Sequence, residues 1–464
     1  MNEDYRIEKE LRCMSSGVPE IVHQRVEETL SSLYNLEKTK RNGIFWIPAA
    51  SVFLLFLLLF GLGFVSPTMA QYLERIPLVG IAFKHAGDPG VQKYSDIGSL
   101  DLTVTDQGIP ITLDQILFDG TRLSIGFIHD SNIRISYLPL TFSFMVNGQE
   151  INGSSSAVSK KISDKDTATV FHVVPSGELP ESFHATLSIT EVTRIGQNQT
   201  ETVKGAWQFQ LQVNKISEEI IVKSFSPPIV KSHEGITVEI TEVVLSPLTT
   251  KVSFNLVESE RYQRNSPKEN QSEEIIFHTL RFGLLDERGV QLQPLSQSGS
   301  GAPGEPMRVV ALFEPITRAS NKIKFQTFEQ SHHLIKTGDQ FYTSAETPDV
   351  IRSEIPDSFP FTVKQGDAGT ITFHRIERHP DKMKITYSVQ GSSPHEQDGA
   401  WWIEDEAGNK YDFDRYDQIR LDDHPFTYEV TLPAVDPEAH PQLVVAQLKS
   451  PKMLKELEML IPLE

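Results

Sequence analysis

Apolar and polar positions divide this chain into three regimes. After Pro19, apolar residues recur every three or four positions: Ile21, Val22, Val26, Leu30, Leu33, Tyr34 and Leu36. That period predicts an amphipathic helix, with Glu20, Arg25, Glu27 and Glu28 turned mainly to water. Residues 3–12 suggest a second, shorter helical piece. From Ile44 to Val65 the pattern vanishes, because 22 consecutive positions carry no charge. A helix of that length reaches about 33 Å, enough to cross a hydrocarbon core. From about residue 97 the period becomes two, as in LTVTDQGIPITL, RLSIGFI, LTFSFMV, WQFQLQV and ITVEITEVVL. Such alternation predicts antiparallel sheets with one buried and one wet face, which usually pair as sandwiches.

The apolar run predicts a single transmembrane helix, residues 44–65. Pro48 falls in its first turn, where a missing N–H costs least. Gly61 and Gly63 do not form a GxxxG pair. Lys38, Lys40 and Arg41 stand before the run, whereas Ser66-Pro67-Thr68-Met69-Ala70 follows it. The positive side stays in the cytoplasm, so residues 1–43 are expected inside and the long C-terminal region outside. A cleaved signal peptide is the competing account, since Thr68-Met69-Ala70 weakly resembles a processing site. A leader of 43 residues and a 22-residue apolar run are both long for a signal peptide, which favours a retained cell-membrane anchor.

A divergent repeat organises the outer region. Aligning Gly108 with Gly235 also aligns Ile111 with Val238, Leu113 with Ile240, Ile116 with Val243 and Leu117 with Val244. A third copy begins at Gly369 and keeps Ile371, Phe373, Ile376, Met383, Ile385 and Tyr387. Each copy reads as a strand, an inward-facing connector pair and a second strand. Leu284-Leu285-Asp286-Glu287-Arg288-Gly289 similarly resembles Ile403-Glu404-Asp405-Glu406-Ala407-Gly408, with Asn147-Gly148 as a reduced counterpart; glycine suits such turns. Trp207, Phe209, Leu211 and Val213 predict a closing strand. The expected fold is mainly β: a short helical tail (1–43), the span (44–65), a juxtamembrane segment (66–96) and tandem immunoglobulin-like sandwiches. Their predicted limits are 97–218, 221–333 and 355–450, with 334–354 a linker or added edge and 451–464 a C-terminal helix covering an edge of the last sandwich. Within 66–96, Tyr72, Leu73, Ile76, Leu78, Val79, Ile81 and Phe83 suggest a broken amphipathic helix on the membrane or on the first outer domain.

Charge and cysteine usage narrow the function. The net charge is −19, and residues 1–43 hold seven Lys/Arg against eight Asp/Glu, so nearly all of it lies after the span. Direct nucleic-acid binding is therefore not expected. Cys13 is the single cysteine, so no intrachain disulfide forms and the outer domains depend on packing. No phosphate loop, HExxH or GxSxG motif occurs, and neither an enzyme activity nor a cofactor is expected. His129-Asp130 is read as a surface turn. Asp405, Asn409, Asp412 and Asp414, with Glu404 and Glu406, offer oxygen ligands of the kind calcium takes, but their spacing is not that of an EF-hand and solvated turns account for them. No metal site is assigned. Trp401 and Trp402 are a binding platform if both are exposed, while alternation sends at least one into the core.

The residues resemble bacterial membrane proteins with a DUF4179 domain, many of them anti-sigma-factor-like. The resemblance rests on Ser66-Pro67-Thr68-Met69-Ala70 after the anchor, Ile76-Pro77-Leu78-Val79-Gly80-Ile81-Ala82-Phe83, Asp106-Gln107-Gly108-Ile109 and Asp119-Gly120-Thr121-Arg122-Leu123. GITVEITEVVLSPLTTKVSF, residues 235–254, resembles the immunoglobulin-like DUF5643 domain. The resemblance implies an extracytoplasmic sensor or scaffold whose inner tail binds an extracytoplasmic-function sigma factor. Zinc-type anti-sigma domains carry a His followed by paired cysteines. His23 has no such pair after it, so a zinc mechanism is disfavoured. The docking surface would then be Ile21, Val22, Val26, Leu30 and Leu33; the competing reading lays that helix on the lipid surface. The expected partners are the bilayer, a sigma factor inside and an unidentified protein or wall ligand outside. The alternative function is a cell-surface structural or adhesion protein without signalling.

Overall fold

The computed structural model describes residues 80–136, 141–196, 199–258, 274–302, 305–316, 320–337, 340–343, 348–413, 418–423 and 426–463. The chain separates into two compact units, Met1–Ile76 and Pro77–Glu464, and the described residues belong to the second. The predicted span 44–65 and the docking surface Ile21, Val22, Val26, Leu30 and Leu33 lie outside them. Among the described residues no helix is long and apolar enough to cross a membrane.

The described fold is mainly β, in several sheets. The first group comprises β1 (Leu102–Asp106), β2 (Ile109–Phe118), β3 (Leu123–Asp130), β4 (Ile133–Ile135) and β5 (Phe142–Val146). It continues with β6 (Gln149–Glu150), β7 (Gly153–Lys161), β8 (Asp166–Pro175), β9 (Ser182–Ile195) and β10 (Thr200–Asn214). One sheet runs β1-β2-β3-β8-β7 and the other β10-β9-β5-β6, with β4 on β9. Ile111, Leu113, Phe127 and Phe171 from the first sheet meet Phe144, Leu187, Ile189 and Phe209 from the second in one core. Period-two burial along each strand makes this face-to-face packing possible. Trp207 is fully buried there and donates its Nε1–H to Ile109 O at 2.8 Å.

The second group comprises β11 (Ile221–His233), β12 (Ile236–Leu245), β13 (Thr250–Glu258) and β14 (Glu274–Leu285). It is followed by β15 (Pro294–Ser300), β16 (Met307–Phe313), β17 (Lys322–Thr337) and β18 (Gln340–Thr343). Its sheets run β11-β12-β13-β16-β15 and β14-β17-β18. The third group is β19 (Val350–Glu354), β20 (Phe361–Lys364), β21 (Gly369–Arg378), β22 (Lys382–Gly391), β23 (Trp401–Glu404), β24 (Lys410–Tyr411), β25 (Ile419–Asp423), β26 (Phe426–Pro433) and β27 (Gln442–Ala446). Its sheets run β20-β21-β22-β26-β25 and β19-β27-β23-β24.

The three groups share one plan. In each, an edge strand, two long strands and two more form one sheet, and the hairpins β2–β3, β12–β13 and β21–β22 occupy the same place in it. Each hairpin breaks register at one point, between Leu113 and Gln115, Ile240 and Glu242, and Phe373 and Arg375. An extra residue there (Asp114, Thr241 or His374) is a β-bulge. The expected connector pairs are thus continuations of a strand. Ile116 packs on the inner core, whereas Leu117 packs on the opposite face with Ala82 and Val170. The turns after β14 and β23 also correspond: Gly289 N–H donates to Asp286 O and Gly408 N–H to Asp405 O, both at 3.0 Å, with φ of +83° and +82°.

The chain end corrects the sequence reading. The helix expected over residues 451–464 is not formed by the described residues 451–463. They give β28 (Lys452–Met453), a 3-10 turn at Lys455–Leu457 and β29 (Met459–Pro462), and both strands pair with β17 of the second sandwich. Met459, Ile461 and Leu463 are buried while Leu460 is exposed, a period of two that the helical spacing of Leu454, Leu457 and Ile461 concealed. An open strand edge supplied the backbone partners. The third sandwich is therefore inserted within the second. Residues 350–354, expected in a linker or an added edge, form its edge strand β19 on β27.

A chain ending at residue 450 should lose the second sandwich. Leu454, Leu457, Met459, Ile461 and Leu463 all belong to its core, and burying five such side chains contributes about 8–15 kcal/mol, the size of a whole domain's stability. Limited proteolysis should cut within residues 221–343 first; a digestion pattern identical to the full chain would refute the assignment.

Candidate functional site

Residues 80–97 are gripped by the first sandwich, and the bulge in β2 is the grip. A bulge places two successive residues on one face, here Asp114 and Gln115, both buried on the side away from the inner core. Asp114 Oδ2 accepts from the backbone N–H of Ile81 at 2.8 Å and of Ala82 at 2.7 Å. Its Oδ1 accepts from Ser99 Oγ at 2.7 Å. Gln115 Oε1 accepts from Phe83 N–H at 3.2 Å, and its Nε2 donates to Ser95 O and Ile97 O at 3.1 and 2.7 Å. Ala82, Phe83, Ala86 and Val91 then bury against Leu117, Ala168 and Val170. Gly126 of β3 leaves the space, since a Cβ there would stand 2.5 Å from that of Ala82. The expected broken amphipathic helix is, in its described part, a 3-10 turn at Phe83–His85 and one helical turn at Pro89–Gln92.

The helical turn opens the joint to the second sandwich. Asp88 Oδ1 accepts from Gly90 and Val91 N–H as its cap, and Oδ2 pairs with Arg122 Nη2 at 2.5 Å. Arg122 is 1% exposed and also donates to Leu248 O at 3.3 Å. Beside it, Asp119 Oδ1 accepts from Thr121 N–H, Thr121 Oγ1 and Arg122 N–H, while Oδ2 accepts from Ser246 Oγ at 2.5 Å. Thr121 Oγ1 and Thr249 Oγ1 lie 2.9 Å apart. The β2–β3 and β12–β13 turns, equivalent in the repeat, thus meet through buried polar groups bonded to one another. Tyr94 OH donates to Glu218 and Lys93 pairs with the same carboxylate at 3.3 Å, fixing the far end of the segment.

His172 completes the joint. Its Nδ1 lies 3.0 Å from Ser124 Oγ and its Nε2 3.9 Å from Asp88 Oδ2. Burial, reinforced by the Arg122 cation and opposed by Asp88, lowers its pKa to about 3. The imidazole is neutral in the folded protein, and it spaces the ion pair without adding charge.

The second and third sandwiches are joined by a bidentate pair. Arg420 donates to both oxygens of Glu314, at 3.0 and 2.6 Å, and that carboxylate also accepts from Gln293 N–H at 3.0 Å. His395 Nε2 lies 2.9 Å from Gln291 O. Where the three sandwiches and the 84–92 segment converge they leave an open cleft of about 910 Å³.

The residues expected to offer chemistry are placed otherwise. His129 is not in a surface turn: it is 3% exposed inside β3, with Nε2 2.8 Å from Thr169 Oγ1. Burial lowers its pKa. Asp405 Oδ1 accepts from Ala407 and Asn409 N–H, and Oδ2 from Asn409 Nδ2 and Tyr411 OH, so the carboxylate braces its own turn. Asp412 pairs with Lys410 at 2.9 Å, and Asp414 lies outside the described residues. Trp401 enters the core against Phe373 and Tyr387; Trp402 stays half-buried under Lys410, whose Nζ is 4.5 Å from the ring centroid. Asp88, Asp114, Gln115 and His172 were not singled out from the sequence, and Arg122 entered only within the Asp119–Leu123 stretch. Two signals pointed to them: Asp114-Gln115 interrupts an apolar strand, and Asp88-Pro89 is a helix-start pair.

Comparison with known proteins places two domain families on this frame. Residues 39–131 match DUF4179, a domain of unknown function, and residues 222–364 match DUF5643, a family of unknown function. The first match contains the bulge, and the second ends inside the inserted sandwich. Among solved structures, a conserved domain protein from Bacillus anthracis is 17% identical, with 61% of this chain and 91% of that chain covered and a TM-score of 0.45. Bovine butyrophilin is 11% identical (48% and 96% covered, TM-score 0.12), and an S-layer protein 8% identical (76% and 54%, TM-score 0.15). No curated protein matches the chain.

Asp114→Ala should release residues 80–97 while leaving the inner core folded. It strands two N–H groups that are otherwise satisfied, at about 1–3 kcal/mol each; hydrogen exchange at Ile81 and Ala82 should accelerate at least tenfold, and unchanged protection would remove the clamp. Stability should also depend on His172. Its pKa is lowered to about 3, so the unfolded chain binds more protons below the ordinary value of about 6.5. Its contribution is complete above that value and falls as pH drops, by about 2 kcal/mol at pH 5. Melting of the full chain between pH 7 and 5 should show a shallower decline in His172→Gln, and equal slopes would contradict it.

Proposed function

We propose that this protein is a single-pass, cell-membrane regulatory protein, a binding protein rather than an enzyme. Its outer sandwiches govern whether the inner helix bearing Ile21, Val22, Val26, Leu30 and Leu33 engages an extracytoplasmic-function sigma factor. The observation that supports this most is the grip of Asp114 and Gln115 on residues 81–97. That segment follows the predicted span closely in sequence, so the first sandwich holds the chain near the point where the anchor would end. The acidic outer region and the absence of a catalytic motif fit a protein that responds to an external protein or wall component by changing contacts. The DUF4179 match over residues 39–131 includes both the predicted span and the clamp.

The inner surface is the part to test. Val26→Asp with Leu30→Asp places two charges on the apolar stripe, and crosslinked pull-down of the intact membrane protein should then recover at least tenfold less sigma factor, with target genes derepressed. Unchanged recovery and transcription would instead favour a structural or adhesion role.

A further inference from the structure

We propose that the outer edge of β10 pairs with the same edge of a second copy of this chain, antiparallel, to make one sheet across two protomers. β10 is the end strand of its sheet, with β9 on one side and no described strand on the other. The ladder fixes which backbone groups face the open side. Lys215 N–H donates to Glu181 O at 2.7 Å, and the register from Trp207 to Asn214 runs unbroken. Residues 207, 209, 211 and 213 therefore turn their N–H and C=O to β9, while Gln208, Gln210 and Gln212 turn theirs outward. Ala206 N–H is taken by Asp106 Oδ2 at 2.6 Å, which ends the open stretch on that side. An edge of this kind is a template for another strand.

This edge lacks the devices that keep strands apart. Residues 205–214 carry neither a charge nor a proline. By contrast, β11 is interrupted by Pro227-Pro228, β7 ends in two lysines, and β25 carries Arg420, Asp422 and Asp423. Charge and proline on an edge oppose strand addition. β15 is also uncharged, but it begins with Pro294 and holds Gly299, both poor in a pairing strand.

Two features select a second copy over a foreign strand. The first is symmetry: Gln208-Phe209-Gln210-Leu211-Gln212 alternates polar and apolar residues evenly about Gln210. An antiparallel pair centred there sets Gln210 opposite Gln210, Gln208 opposite Gln212 and Phe209 opposite Leu211. The three glutamines are exposed on the outer face, and an amide both donates and accepts, so each is its own complement. Leu211, half-buried at the rim of the core, gains cover from the second copy. Such an interface closes at two copies and leaves neither β10 edge free. The second feature is charge. Two chains of −19 repel wherever their acidic surfaces meet, and a stretch without charge is where contact costs least. The pairing involves the first sandwich alone and stands apart from the sigma-factor reading.

Sedimentation of the full-length protein in uncharged detergent micelles, corrected for bound detergent, tests it. Two chains per particle are expected, dissociating to one on dilution. Gln210→Glu and Gln210→Lys each place like charges about 5.5 Å apart across the two-fold axis. Gln210 is exposed and its backbone lies outside the β9 ladder, so both variants fold. Either variant alone should weaken association at least tenfold, whereas an equimolar mixture of the two should regain the two-chain particle. Gln297→Glu, on the uncharged edge of β15, should leave association intact. A single chain at every concentration, undiminished pairing in either Gln210 variant, no recovery in the mixture, or equal weakening by Gln297→Glu would each overturn the proposal.

Discussion

A backbone N–H taken out of water must find an acceptor, and at residues 81–83 no neighbouring strand offers one. The segment lies across the outer face of a sheet rather than along its edge, so side chains must do what a strand would do. In a regular strand, consecutive residues point to opposite faces, and one of Asp114 and Gln115 would enter the core. The single extra residue of the β2 bulge prevents this. Both polar side chains emerge on the same side, and together they take up Ile81, Ala82 and Phe83. Everything placed by that segment follows, including the Asp88 cap and its pair with Arg122.

The same bulge recurs in the other two repeats without this consequence. Thr241 Oγ1 bonds to Ser253 O of the adjoining strand, and His374 Nε2 to Ser388 Oγ. A local irregularity common to the three copies has thus been turned to a separate use in the copy nearest the predicted membrane span. The chemistry of the residue in the bulge decides the difference: a carboxylate accepts two backbone donors at once, whereas the Thr241 hydroxyl and the His374 imidazole each bond a neighbour within their own sheet.

Much of the β architecture was legible in the sequence because burial on one face writes itself as alternation. Trp207, Phe209 and Val213 read as a strand and are buried as one; the Asp286–Gly289 and Asp405–Gly408 turns read as equivalent and close alike. Elsewhere local pattern was ambiguous. Leu454, Leu457 and Ile461 fit a helical period, while Leu457, Met459, Ile461 and Leu463 fit a strand, and only the open edge of β17, more than a hundred residues earlier, decides between them. The polar joint was less visible still. Asp88, Arg122 and Ser246 are ordinary surface residue types, and what buries them is the meeting of two turns that sequence separates by over a hundred positions.

Insertion of the third sandwich changes how firmly it is held to the second. A terminal domain on one linker swivels, since a single connection fixes neither its orientation nor its distance. Here the chain crosses between the second and third sandwiches twice, once before β19 and once before β28, and the Arg420–Glu314 pair holds the two together with its carboxylate almost fully buried. Removing Arg420 would leave the buried Glu314 carboxylate without its cation, so the contact is costly to break. The second sandwich is in turn held to the first through Asp119, Ser246 and Thr249, and the first to residues 81–97 through the bulge. At each step the contact is a buried polar group with a specific partner, so sliding costs more than rotation of the whole. The three sandwiches and residues 81–97 are therefore linked at every joint by buried polar contacts and not by the chain connections alone.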